Sequence, residues 1–177
     1  MPTVHYEIDP AHSGALFKVR HMMISNIRGE FTRISGTVVL DLDHPVGSSI
    51  DVTIDAASIN THEEKRDEHL RSADFFDVAK FPSITFKSNE IVATDEGYEV
   101  VGDLTIHGIT RKENLRVDDL TPEAKDPWGG FRRGAMATTK IDRKDFGLNW
   151  NTALEAGGFL VGDEVSINID VQLVRKA

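Results

Sequence analysis

The residues of this chain best equipped for chemistry are seven histidines and a cluster of carboxylates, Glu63, Glu64, Asp67 and Glu68, set among Lys65, Arg66 and Arg71. His62 and His69 lie seven apart, the first just before and the second within a run of strong helix formers, EEKRDEHLR, that has no Gly or Pro. On a helix they share one side about 10 Å apart, too far to ligate one ion unless the fold brings in other ligands. The interleaved charges describe a solvated, ion-paired helix face better than a catalytic pair of carboxylates. Ser13 follows His12, but sequence neighbours do not make a nucleophile and its base, and no G-x-S-x-G elbow is present. Gly157-Gly158 lacks the strand–loop–helix setting of a phosphate loop. With no Cys there is neither disulfide nor thiolate chemistry. These residues therefore predict no metal, no cofactor and no catalytic group, and they leave apolar side chains as the larger signal.

The elements that position them are mostly strands. Val4, Tyr6 and Ile8 alternate with polar neighbours and stop at Asp9-Pro10. Ala15, Phe17, Val19 and His21 share one face of the next strand, which Met22, Met23 and Ile24 end in a turn. Ile27, Gly29 and Phe31 then fall on odd positions, whereas Ile34, Gly36, Val38, Leu40 and Leu42 fall on even ones. A strand repeats every two residues, so this change of phase predicts a bulge or sharp bend between Phe31 and Ile34. Ile50, Val52, Ile54 and Ala56 alternate cleanly. Further strands run from Ile84 toward Val92, from Tyr98 to Ile106 after a turn at Asp95-Glu96-Gly97, and from a His107-Gly108 turn to Val117. Asp118 to Gly130 reads as a loop, and Phe131–Ile141 and Val165–Leu173 as two more strands separated by irregular chain.

One stretch breaks this pattern. Thr61 and Glu64 have the spacing of a capping box, which predicts a short helix from His62 to near Ser72 with Leu70 its one clearly apolar residue. Phe75, Phe76, Val78 and Phe81 follow, and Pro82 bars further helix. The stretch reads either as a lid over an apolar interior or as a helix capping a sheet, its phenylalanines being ordinary core.

At 177 residues the chain fits one domain, 1–177. Strands that alternate throughout pair antiparallel with one dry face, and an all-β barrel removes their edges by closing. Eight strands enclose a bore that side chains alone can fill, or that holds one small ligand. A net charge of −9 argues against nucleic acid as a partner. No apolar run approaches a membrane span. The start, MPTVHYEIDPAHS, has neither a basic segment nor an apolar one, so the expected location is the cytoplasm as written, or the periplasm if this is a mature form. Phe17, Val19, Phe31, Leu70, Phe75, Phe76, Phe81, Phe86, Ile141, Phe146, Leu148 and Phe159 are the candidates to line a cavity.

Several blocks carry a resemblance. Asp9 to His21 (DPAHSGALFKVRH), Arg28 to Phe31 (RGEF), Ile59 to Val78 with its RDEHLRSADFFDV core, Phe81 to Ser88 (FPSITFKS), Gly102 to Thr110 (GDLTIHGIT) and Arg143 to Gly147 (RKDFG) resemble the YceI-like family, in order along nearly the whole chain. That resemblance implies an extended, eight-stranded, lipocalin-like antiparallel barrel with one short inserted helix. It further implies an elongated apolar pore for a long amphiphile such as a polyisoprenoid, an isoprenoid quinone or another lipid, and a homodimer as its assembly. Head-group recognition would fall to polar residues at the mouth, for which His12, Ser13, His21, Arg66, His69 and Arg143 are the candidates. Arg66 and Arg143 suit a phosphate or carbonyl. Alternatively Arg66 and Asp67 pin the helix to the barrel. Two other functions stay open: an enzyme on a lipid-like substrate with His21 or His69 as general base, and a filled, ligand-free stress-response scaffold.

Overall fold

In the computed structural model, which describes residues 3–152, 154, 158 and 160–176, the alternation becomes twelve strands in one sheet. They are β1 (Val4–Ile8), β2 (Gly14–His21), β3 (Ser25–Phe31), β4 (Ile34–Leu40), β5 (Ser49–Asp55), β6 (Ile59–Asn60), β7 (Ser83–Ala93), β8 (Tyr98–Ile106), β9 (Ile109–Asp118), β10 (Ala124–Lys125), β11 (Phe131–Asp142) and β12 (Val161–Arg175). One α-helix, α1 (Glu64–Arg71), is inserted between β6 and β7. Eight antiparallel strands form a ring in the order β11-β9-β8-β7-β5-β4-β1-β12, closed by β11–β12 pairing from Arg132↔Val174 to Asp142↔Glu164. The expected eight-stranded barrel with a single short helix is thus what the described residues build.

The ring is lengthened at one end by a simple device. β1 and β2 occupy successive stretches of the same β12 edge, β1 beside Leu173–Arg175 and β2 beside Val161–Asp170. β3 and β4 are likewise one strand bent at Thr32-Arg33, where the change of phase predicts it. Phe31 and Ile34, three apart, both face inward at 8% and 1% exposure. At β4 the wall is drawn tight, because a Cβ on Gly36 would sit 2.3 Å from the Asp51 carbonyl oxygen. The hairpin β2–β3 and the segment through β6 and α1 therefore stand above the ring and shape a mouth. The turns after Leu40, Ala93 and Asp118 lie at the far end.

The helix ends as expected, at Ser72, but begins differently. Glu63, not Thr61, is its N-cap, its carboxylate accepting from the Lys65 and Arg66 backbone N–H groups. Thr61 is used elsewhere: its backbone N–H and its hydroxyl both donate to Asp67 Oδ1, at 2.9 and 2.5 Å. Arg66 closes the knot, Nε donating to Thr61 Oγ1 and Nη2 to Thr61 O, each at 2.7 Å. Arg71 donates to the carbonyls of Ala57 and Ile59 at 3.1 and 3.2 Å. A capping box failed here because the same hydroxyl has a better use: with Thr61 and Asp67 only 4% and 3% exposed, an unpaired carboxylate would cost far more than an unfilled cap.

Candidate functional site

Inside the barrel the side chains leave space. An upper chamber of about 140 Å³ is bordered by Phe17, Val19, Phe31, Leu70, Phe75, Phe76, Phe86, Ile141 and Leu148, all expected from the sequence. Ile54, Ile59, Ile84, Leu104, Ile106, Val165 and Ile167 complete it. Its wall is apolar throughout; Thr85, Glu113, Thr139 and Arg143 show it only carbon. A lower chamber of about 90 Å³ lies toward the far end among Ile8, Val38, Leu40, Ile50, Ile91, Tyr98, Val100, Ala135, Ala137, Val171 and Leu173. Val52, Leu115 and Ile169 border both chambers and form the partition between them. Above, a mouth cavity of about 210 Å³ opens between α1, the β2–β3 hairpin and Trp150, Leu160 and Val161. Phe17, Val19, Leu70, Phe75 and Val161 stand between it and the upper chamber. The elongated pore that the resemblance implies is here divided into three chambers in series, because side chains from β5, β9 and β12 narrow the bore midway.

Dimensions restrict what can enter. An apolar cavity of ~150 Å³ holds a guest no larger than benzene, so the upper chamber alone has room for one ring-sized group. From Val161 at the mouth to Leu173 below, β12 runs ~40 Å at ~3.3 Å per residue, or ~30 Å along the axis at a tilt of ~40°. A guest touching all three chambers is long and thin.

The expected mouth residues divide into two groups. His21, Arg66 and His69 do border the mouth cavity. His69 is held by Asp74, Nε2 to Oδ2 at 2.8 Å, and stands edge-on to Phe75 and Trp150 with ring centroids 5.1 and 4.7 Å away. Arg143, 3% exposed, is a brace between chain segments: Nε donates to Gly162 O at 2.8 Å, Nη1 to Leu148 O and Trp150 O, and Nη2 to Val161 O at 3.3 Å. Burial pulls its guanidinium below the usual arginine range, partly offset by Asp163 and Asp142. His12 and Ser13 are not at the mouth. They sit where β1 hands over to β2, His12 paired with Asp9 at 2.8 Å and the Ser13 hydroxyl accepting from the Gln172 N–H at 3.0 Å. Gln172 is eleven residues along β12 from Val161, ~35 Å of strand.

Two expected wall residues also differ. Phe81 packs outside the chambers, edge-on to His107 at 4.8 Å and against Gly108, since the turn at Asp77 (φ 47°) and Pro82 carries it to the rim. Phe146 is fully buried in the 3-10 turn Arg143–Phe146 and belongs to the packed core. Phe159 lies outside the described residues. Burial, aided by Asp145, pushes the Glu113 carboxyl up from its ordinary range.

The far end is held by polar contacts that local sequence does not announce. The Tyr6 hydroxyl donates to Glu123 Oε1 at 2.8 Å and accepts from Arg133 Nε at 2.9 Å, joining residues more than a hundred positions apart. Burial raises the Tyr6 pKa, with Arg133 opposing. Arg175 holds the other Glu123 oxygen at 3.1 Å. On the outer wall Arg132 bridges Asp9 at 2.6 Å and Asp126 at 2.9 Å. The lower chamber is also absent from the expected site. Its one sequence signal is the pair of small inward residues Ala135 and Ala137, where the wall recedes.

Comparison with known proteins agrees with this architecture. The chain is 39% identical over 172 residues to the UPF0312 protein of Yersinia enterocolitica, covering 96% of this chain and 86% of that one. BcnA of Burkholderia cenocepacia superposes with a TM-score of 0.79 at 26% identity, over 93% of this chain and 98% of that one. A polyisoprenoid-binding domain from Saccharophagus degradans shares the fold at 17% identity, with a TM-score of 0.68 over 98% of this chain and 99% of that one. The model of the YceI-like domain matches residues 6–173. A bent-strand barrel with a pinned helix at one end and apolar chambers along its axis is thus this chain's version of a shared design, and the chain belongs to the YceI-like family.

Proposed function

We propose that the protein binds a long-chain amphiphile, a polyisoprenoid, an isoprenoid quinone or a related lipid, and carries or stores it without altering it. The observation that carries this reading is the series of apolar chambers: the upper one offers a guest no polar atom, and the lower one almost none, with Asp41 and Ser48 at its border. The ligand named for the Saccharophagus degradans domain supports it. Each methylene buried contributes about 0.8 kcal/mol, while association costs ~4–15 kcal/mol. Roughly fifteen to thirty buried carbons are then enough for the ~8 kcal/mol of micromolar binding. The tail enters first and the head group stays with His21, Arg66 and His69.

Organic extracts of the purified protein, analysed by mass spectrometry, test this directly. The expected result is a co-purifying prenyl lipid, together with a melting temperature raised by added geranylgeraniol. Extracts without lipid and an unmoved melting temperature would overturn it. The His69–Asp74 pair favours a second reading, an enzyme with His69 as general base. Recovery of the added prenyl compound chemically unchanged after prolonged incubation counts against that reading.

A further inference from the structure

The β2–β3 hairpin breaks several local rules at once. Its turn places Met22 and Met23 at φ 52° and 61°, the left-handed backbone that two-residue hairpin turns ordinarily give to Asn and Gly. Met22, Met23 and Ile24 are 42%, 59% and 74% exposed, an apolar tip beside the mouth cavity that, among the described residues, only the Met23 contact with Gly158 and the Met22 N–H bond to Leu160 O tie to the neighbouring chain. Behind the tip, Lys18 and Arg28 are direct cross-strand partners on the outer face, a like-charge pair that weakens a hairpin. Neither makes an ion pair with a described residue, and Arg20 lies between them and the tip, donating to Met23 O at 3.1 Å. Residues that defy local propensity without a structural gain mark a site of function.

We propose that this hairpin is a docking element for an anionic phospholipid bilayer. Its apolar tip enters the interface while Lys18, Arg20 and Arg28 face the head groups. The chemistry of the tip matches that surface: three largely exposed apolar side chains backed by cations, on a protein whose net charge is −9. The far end also exposes apolar residues, Leu42, Val46 and Trp128, but there Asp43, Asp95, Glu96 and Asp119 are exposed in the neighbouring turns and repel an anionic surface. The outer face of α1 carries Glu64 and Glu68, so contact is made edge-on through the hairpin, with the mouth turned toward the membrane. This placement rests on the carrier reading, because it lets a lipid pass between bilayer and barrel without crossing water.

Flotation of the full chain with vesicles of phosphatidylcholine, with and without phosphatidylglycerol, tests the proposal. Binding is expected to the anionic vesicles at low salt and to weaken as salt is raised. The variant M22N/M23G/I24T suits the turn better than the natural residues, so it keeps the fold while removing the tip; it is expected to bind at least tenfold more weakly. K18Q/R28Q is expected to lose affinity about fivefold per residue on anionic vesicles, with no change on neutral ones. Equal binding by wild type and tip variant overturns the proposal, as does no binding by wild type to either vesicle. So does sedimentation showing that the tip pairs two copies of the chain. Titration with farnesol in solution separates the two readings. Farnesol binding without vesicle binding removes the docking element and leaves the carrier, whereas the reverse removes the carrier and leaves the dock.

Discussion

The two ends of the barrel are built from the same alternating strands but held by opposite means. At the far end side chains bond side chains: Tyr6, Glu123, Arg133 and Arg175 form one network, and Asp9, Arg132 and Asp126 another. At the mouth, charged side chains bond mainly to backbone: Arg66 and Arg71 to the carbonyls of Thr61, Ala57 and Ile59, Arg143 to those of Leu148, Trp150, Val161 and Gly162. The far-end pattern ties distant strands to one another through paired polar groups, with the Asp9–Arg132–Asp126 bridge on the outer wall. The mouth pattern spends its charges on fixing irregular chain in place, which leaves Phe17, Phe75 and Leu70 uncovered by polar groups as an apolar entrance. One end is cross-linked side chain to side chain and the other framed.

The largest test of this contrast is Arg143→Met. Four carbonyls lose the guanidinium inside a poorly hydrated region, although Val161 O keeps the Asn151 amide as a donor, at a cost of about 3–5 kcal/mol. Thermal unfolding is expected to fall by roughly 10 °C, with amide exchange accelerated around Leu148–Asn151 and Val161–Gly162 and little changed at Leu173. A loss spread evenly over both ends would mean that the framing of the mouth is not local.

Ala137→Leu should fill the lower chamber without touching the mouth. If a ligand tail reaches that far, losing room for about three methylenes weakens a long prenyl ligand by ~2.4 kcal/mol, close to fiftyfold, and leaves farnesol unaffected. Isothermal titration with the two chain lengths would read this, and equal effects on both would place the whole guest above Val52, Leu115 and Ile169.

The smallest effect concerns pH at the far end. Hydrogen bonding from Arg132, then from His12, holds the Asp9 carboxyl down at about 2. A carboxyl depressed on folding stabilises the protein above its unfolded pKa of ~3.9, and this contribution disappears as pH falls from there through about 2. Wild type should exceed Asp9→Asn in stability at neutral pH, and the difference should close in that acid window. Urea unfolding midpoints between pH 2 and 6 provide the measurement.

The bend at Thr32-Arg33 was legible because strand phase is a local property, fixed by which residues face water. The Thr61 cap was misread because its competitor, Asp67, acts through a buried contact that spacing does not reveal. Likewise Phe81 and Phe146 carry the same apolar signal as Phe75 and Phe86, yet only the latter pair borders the upper chamber. Hydrophobicity says that a side chain avoids water; it does not say whether a protein atom or empty space lies across from it.

By itself, then, the sequence determined the strands, their inward faces, the bend and the inserted helix, since each follows from periodicity within a few residues. Only the tertiary structure decided that the bore holds chambers, that Val52, Leu115 and Ile169 divide them, and that Arg143 frames the mouth. Those features depend on which side chains from distant strands come opposite one another, and register around a closed ring is set by all eight strands together.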